Sequence, residues 1–195
     1  RRWVHLVIHV DDITISASDP KARTAFLSEF TKEYECDEPG PINGNLFLGA
    51  DIEQSPDFKK IKISCKTYIA KIEARWEEFP LLKGHKKSTE YSLSGEPGFQ
   101  LGMIQEPMTK EGEECVKNYD IRSKVGAITY AFVLARPDIG NPLNQIAKRV
   151  TTPDVSVCIA CDALFNYLKN TADIGVEYGN NGTGLSPYAI GDSTG

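Results

Sequence analysis

The sequence predicts an α+β fold, on three observations. Two β-hairpin patterns occupy the first 65 residues, and apolar residues recur at helical spacing at 20–34, 67–79 and 121–168. Strand-like runs return after residue 171.

The first hairpin joins Trp3–Val10 to Ile13–Ser16 through Asp11-Asp12, because aspartate tolerates the positive φ of tight turns. Ser18-Asp19-Pro20 then supplies an N-cap and a first-turn proline. Behind it Ala22, Ala25, Phe26, Phe30 and Tyr34 define one helical face. Pro39-Gly40-Pro41 and Asn43-Gly44 mark a loop. Leu46–Ile52 and Lys60–Ser64 flank a Ser55-Pro56-Asp57 turn and form the second hairpin, whose second strand alternates Lys with Ile. From Thr67, the residues Tyr68, Ile69, Ile72, Trp76 and Phe79 line a helix that Pro80 ends.

Between Leu81 and Asn118 glycines and prolines are scattered among polar residues, which predicts a linker or an extended surface segment. Helical spacing resumes through Ile121, Val125, Ile128, Phe132 and Ala135 until Arg136-Pro137. A short helix follows through Leu143, Ile146 and Val150. A longer one opens after Thr152-Pro153, with Val157, Cys161, Leu164 and Leu168 as its buried stripe and Lys169 in its last turn. Ile174–Tyr178 and Ser186–Ile190 read as strands of an open hairpin across a Gly/Asn-rich turn that ends at Asp192.

At 195 residues, with 41% hydrophobic and 25% charged composition, the chain is long enough for one good-sized core or two small ones. Apolar runs such as Ala127–Ala135 fall short of the roughly 18–20 residues that span a bilayer, so no membrane span is expected. Five cysteines, odd in number and scattered, do not form a disulfide framework and suit an intracellular, reducing compartment. Cys158 and Cys161 read as buried thiols within a helix rather than zinc ligands. Arg136 and Asp138 read as a salt-bridged helix boundary. A net charge of −5 excludes a whole-surface nucleic-acid binder. Locally the balance reverses, since Lys59, Lys60, Lys62, Lys66, Lys71 and Arg75 are set against the single acid Glu73.

Adjacent aspartates at a hairpin tip supply hard oxygen ligands of the kind that suit Mg²⁺. Val10-Asp11-Asp12 within its apolar hairpin resembles the catalytic turn of the reverse-transcriptase palm. More specifically, the chain resembles the copia-type retrotransposon polyprotein from its palm motif onward. Further strings lie in that family's order: Phe47-Leu48-Gly49-Ala50-Asp51-Ile52, Ile63–Ile69, Tyr119–Ala127, Arg136-Pro137-Asp138-Ile139, Tyr167–Thr171 and Gly175–Tyr178.

The resemblance implies the late part of a palm at 1–65, a thumb helix at 66–80, a linker at 81–118, a helical thumb or connection at 119–170 and the start of an RNase H-like domain at 171–195. It implies RNA-directed DNA polymerisation by two-metal chemistry in the complete protein. Asp11 would be a Mg²⁺ ligand and Asp12 its close neighbour at the same catalytic site, with Asp192 as the first metal-binding aspartate of the RNase H unit. Leu48-Gly49 would support the primer terminus, and the Lys59–Arg75 cations would contact the backbone of a primer-template duplex. The family implies a cytoplasmic or nuclear setting.

Three positions depart from the family pattern. His9 stands where an aromatic residue is usual, Cys65 where Gln is usual, and Ser193-Thr194-Gly195 where an acidic and aromatic continuation is usual. The family's other palm aspartate belongs to an earlier strand, so both sites read as incomplete in this chain. The alternative expectation is a non-catalytic structural or interaction subunit, derived from a retroelement and held by protein partners in a larger complex.

Overall fold

In the computed structural model the described residues are 1–37, 39–81, 101, 105 and 107–179. Among them the fold is mixed helix and sheet: a two-stranded antiparallel sheet, a four-stranded antiparallel sheet in the order β3-β4-β5-β6, and six α-helices.

β1 (Val4–His9) and β2 (Asp12–Ala17) pair from Val4↔Ala17 to His9↔Asp12. The connection is therefore the dipeptide Val10-Asp11, one residue earlier than the sequence pattern suggested. Positive φ falls on Val10, at 53°, and not on Asp11. That is the pattern of a II′ turn, whose first central position favours glycine and strains a β-branched residue. α1 (Pro20–Glu33) is capped as expected, with the Asp19 carboxylate accepting from Ala22 N at 2.9 Å. Its predicted face is only partly covered: Phe26, Phe30 and Tyr34 form a ladder of rings, and Tyr34 is exposed. Among the described residues before Ala50, Ala22 is the one buried side chain.

The second hairpin contains an unforeseen turn. The run read as one strand, Leu46–Ile52, divides into β3 (Leu46–Phe47) and β4 (Ala50–Gln54), with Phe47 opposite Ala50. Leu48 and Gly49 have φ of 53° and 75°. Positive φ at both central residues is the I′ pattern, in which Gly49 is at ease and Leu48 is not. β4 then pairs with β5 (Lys60–Ser64) as expected, Ile52 lying opposite Ile63. β6 (Gly175–Gly179) pairs antiparallel with β5, Gly175 opposite Ser64. The expected second strand of that late hairpin, Ser186–Ile190, lies outside the described residues.

α2 (Lys66–Glu73) is shorter than its apolar spacing implied. Its start is capped by the neighbouring strand, since the Asp51 carboxylate accepts from Thr67 N at 2.8 Å and from Thr67 Oγ1 at 2.5 Å. Trp76 and Phe79 lie beyond its end yet still point into the core, held there by Asp162 through bonds to Trp76 Nε1 and Phe79 N.

The segment expected to lack regular structure contains α3 (Lys110–Asn118). Thr109 caps it by accepting from Gly112 N at 3.1 Å, and Glu111 and Glu113 occupy the first turn, where negative charge favours the helix dipole. α4 (Ile121–Ala135), a short 3-10 turn at Pro137–Ile139, α5 (Gly140–Lys148) and α6 (Val155–Asn170) follow in the expected places. The core lies between α2 and these later helices, and the α6 residues Val157, Cys161, Leu164 and Leu168 are fully buried in it.

Among the described residues four charged groups are inside: Arg149 and Asp154, paired at 2.6 Å, and Arg136 and Asp162. Arg136, with no exposed surface, forms a bidentate pair with Asp138 at 2.9 and 2.7 Å and donates to the Thr171 carbonyl and hydroxyl. The helix boundary is salt-bridged, as the sequence suggested. Asp162 accepts from Trp76 Nε1 at 2.8 Å, Phe79 N at 2.5 Å and the Tyr119 hydroxyl at 2.5 Å.

Candidate strand-end site

Asp11 sits at the tip of the first hairpin and Asp12 opens β2, both exposed. Among the described residues no group of three or more His, Cys, Asp or Glu side chains could hold a metal ion. Two neighbouring carboxylates cannot surround two cations, so these residues do not by themselves fit the expected Mg²⁺ site. Asp192 lies outside the described residues. Cys158 and Cys161 are buried, and burial pushes each thiol up to about 12, which leaves them un-ionised.

The predicted basic cluster divides into two parts. Lys60 and Lys62 project from the same face of β5, where Lys62 lies in register with Glu53 on one side and Glu177 on the other. Lys60 pairs with Glu177 at 2.9 Å and Lys66 with Asp173 at 2.8 Å, and these hydrogen-bonded carboxylates raise both lysines above their ordinary pKa. Here cations and acids balance, as on an ordinary solvated face. Lys59 is exposed in the β4–β5 loop.

Lys71 and Arg75 differ. Both are exposed, and among the described residues neither has an acidic partner within ion-pair distance. Lys71 follows Tyr68 at i+3 on α2, and Arg75 lies in the turn just beyond the end of that helix. Arg75 also lines a cleft of about 570 Å³ between α2 and the start of α4. In that cleft the Lys124 ammonium lies 4.1 Å from the Trp76 ring centroid and 4.7 Å from that of Tyr119.

α2 is also tied to the Leu48-Gly49 tip. Tyr68 and Tyr130 rings pack at 4.6 Å, the Tyr68 hydroxyl donates to the Ala127 carbonyl at 3.1 Å, and the Tyr130 hydroxyl donates to the Leu48 carbonyl at 2.8 Å. Burial raises the Tyr68 pKa, so its hydroxyl stays a donor. A Cβ at Gly49 would lie 3.1 Å from the Tyr130 hydroxyl oxygen, so the close approach as well as the positive φ selects glycine. The structure thus ties the Leu48-Gly49 tip through Tyr130 and Tyr68 to α2, the helix that carries Lys71 and precedes Arg75, and places Asp11 and Asp12 on a separate hairpin. Sequence reasoning missed Tyr130. Its one signal is an aromatic ring out of phase with the buried stripe of α4, which shows a site without naming its partner.

The chain is 24% identical over 193 residues to the retrovirus-related Pol polyprotein from transposon TNT 1-94 of Nicotiana tabacum, covering 99% of this chain and 14% of that protein. It is 25% identical to a putative transposon Ty5-1 protein of Saccharomyces cerevisiae, over 90% of this chain and 52% of the relative. It is 22% identical to the retrovirus-related Pol polyprotein from transposon RE1 of Arabidopsis thaliana, over 97% of this chain and 12% of that protein. The chain thus spans about half the length of one of these relatives and about an eighth of the other two. No protein-family model and no solved structure matches it. Homology along nearly all of its length to transposon Pol polyproteins makes this a retroelement-derived chain.

Proposed function

We propose that the chain is the strand-holding part of a copia-type reverse transcriptase, comprising the late palm and the thumb, and that it grips a primer-template duplex at a recessed 3′ end. The observation that carries this reading is the Leu48-Gly49 tip tied by Tyr130 and Tyr68 to α2, the helix that carries Lys71 and precedes Arg75. A fixed tip can locate a strand terminus, and these two cations can contact the phosphates that lead up to that terminus. The Asp11-Asp12 hairpin adds support, since it lifts carboxylates clear of the sheet and leaves apolar flanks at Val7, Ile8 and Val10 for further chain to cover. A complete polymerase would hold Mg²⁺ with Asp11 among its ligands, joined by carboxylates beyond the pair at this hairpin tip.

The test is equilibrium binding of RNA–DNA hybrids. A hybrid with a recessed 3′ end is expected to bind more tightly than a blunt one of equal length, and binding should weaken steeply with salt. Lys71→Glu combined with Arg75→Glu should reduce affinity on the order of tenfold at low ionic strength, as loss of two phosphate contacts implies. Indifference to both the charge reversal and the recessed end would sink the reading. The chain alone should give no Mg²⁺-dependent primer extension, and incorporation abolished by Asp11→Ala would show the catalytic set to be complete after all.

A further inference from the structure

We propose that Tyr130 is the positioning residue of the β3–β4 tip: its hydroxyl fixes which way the Leu48–Gly49 peptide faces, and so where the Gly49 N–H is presented to a bound strand end. This rests on the strand-end reading of Leu48 and Gly49 given above. Two-residue hairpin turns of types I′ and II′ differ by rotation of the central peptide, which exchanges the directions of the first residue's carbonyl and the second residue's N–H. With Leu48 at φ 53° and glycine in second place, the chain could adopt either turn. The φ of 75° at Gly49 places it in I′, the turn in which the Leu48 carbonyl accepts from Tyr130 at 2.8 Å. Rotation to II′ breaks that bond.

Tyr130 is itself held. Its ring packs on Tyr68, whose hydroxyl is tied to the Ala127 carbonyl one turn earlier on α4. A Cβ on Gly49 would lie 3.1 Å from the Tyr130 hydroxyl oxygen, tighter than an ordinary contact. Among the described residues the Gly49 N–H has no acceptor, so it is the donor the tip can offer to a terminal hydroxyl or phosphate oxygen. A side chain on a helix remote in sequence therefore sets the direction of a backbone donor on a strand turn.

Tyr130→Phe removes the hydroxyl and keeps the ring. Losing one neutral hydrogen bond that selects a conformer should weaken binding of a recessed-end hybrid about fivefold while leaving a blunt hybrid within about twofold. The denaturation midpoint should fall by no more than the loss of one hydrogen bond allows, and the Gly49 amide of the free protein should shift in NMR spectra and exchange faster with solvent. If the normal chain prefers recessed ends but Tyr130→Phe weakens both hybrids equally, or neither, the positioning role is overturned. An unmoved Gly49 amide overturns it too. If the normal chain shows no preference for recessed ends while the Gly49 amide responds as expected, the strand-end reading fails and Tyr130 holds a turn with no nucleic-acid consequence.

Discussion

Asp162 shows how a single buried side chain organises its surroundings. Fully enclosed, it gathers the Trp76 indole, the Phe79 amide and the Tyr119 hydroxyl, and so turns the chain inward after α2 ends. Truncation strands three buried donors. Asp162→Ala should therefore cost about 3 kcal/mol or more, read by urea denaturation, and a loss below about 1 kcal/mol would show that the donors find other partners. Asp138 makes a pH prediction. Burial pushes its carboxyl up, but the Arg136 fork and the Tyr167 hydroxyl outweigh that and hold it below the ordinary carboxylate range. A group lowered in the folded state contributes stability that is complete above its unfolded pKa, about 4, and is lost as pH falls through the folded value. Asp138→Asn should flatten that acid limb of the stability curve; an unchanged limb would assign it to other carboxylates.

Among the elements, β6 depends most on a single residue. Gly175 crosses the β5 backbone so closely that a Cβ would run into the Ile63 carbonyl oxygen, an atom that cannot move aside without breaking the ladder. Gly175→Ala should separate β6 from β5, seen as loss of protection at the amides shared between Lys60–Ser64 and Gly175–Gly179 while those bonded to β4 stay protected, and retained protection of the shared amides would refute the close approach. Elements with a continuous apolar stripe were legible in the sequence, as α4 and α6 are, because burial on one face repeats at the helical period. The exceptions have physical causes. α3 buries only Gly112 and Val116, so its signal was the Thr109 cap and acidic first turn rather than periodicity. The Leu48-Gly49 turn was hidden because leucine occupies a position that usually takes Asn, Asp or Gly. The end of α2 was hidden because Asp162, distant in sequence, captures Trp76 and Phe79. Of the candidate site, the tip and the cations could be read from motif and charge; the tyrosine pair could not, since it depends on how α4 packs against α2.

Across the whole molecule stability is unevenly spread. The described residues before Ala50 contribute one buried side chain, whereas α4 to α6 supply most of the core. A two-stranded hairpin of that kind is marginal by itself. Amides of Val4–Ala17 should exchange at least about a thousandfold faster than those of α6, as local opening demands, and equal protection would reveal a contact that stabilises the hairpin. The two candidate regions thus differ in packing: the aspartates ride on a thinly buried hairpin, and the Leu48-Gly49 tip is tied to α4, which lies in the core.

The pairing of β6 with β5 also orders events during synthesis. Lys60–Ser64 leaves the ribosome more than a hundred residues before its partner Gly175–Gly179. Until then one edge of β5 carries open backbone donors and acceptors beside Ile61 and Ile63, a surface on which another nascent chain could add a strand. Translation that stalls or terminates before Gly175 leaves that edge uncovered. Messages broken before Gly175 should yield aggregating products rather than soluble fragments, which makes β6 the cover for that edge.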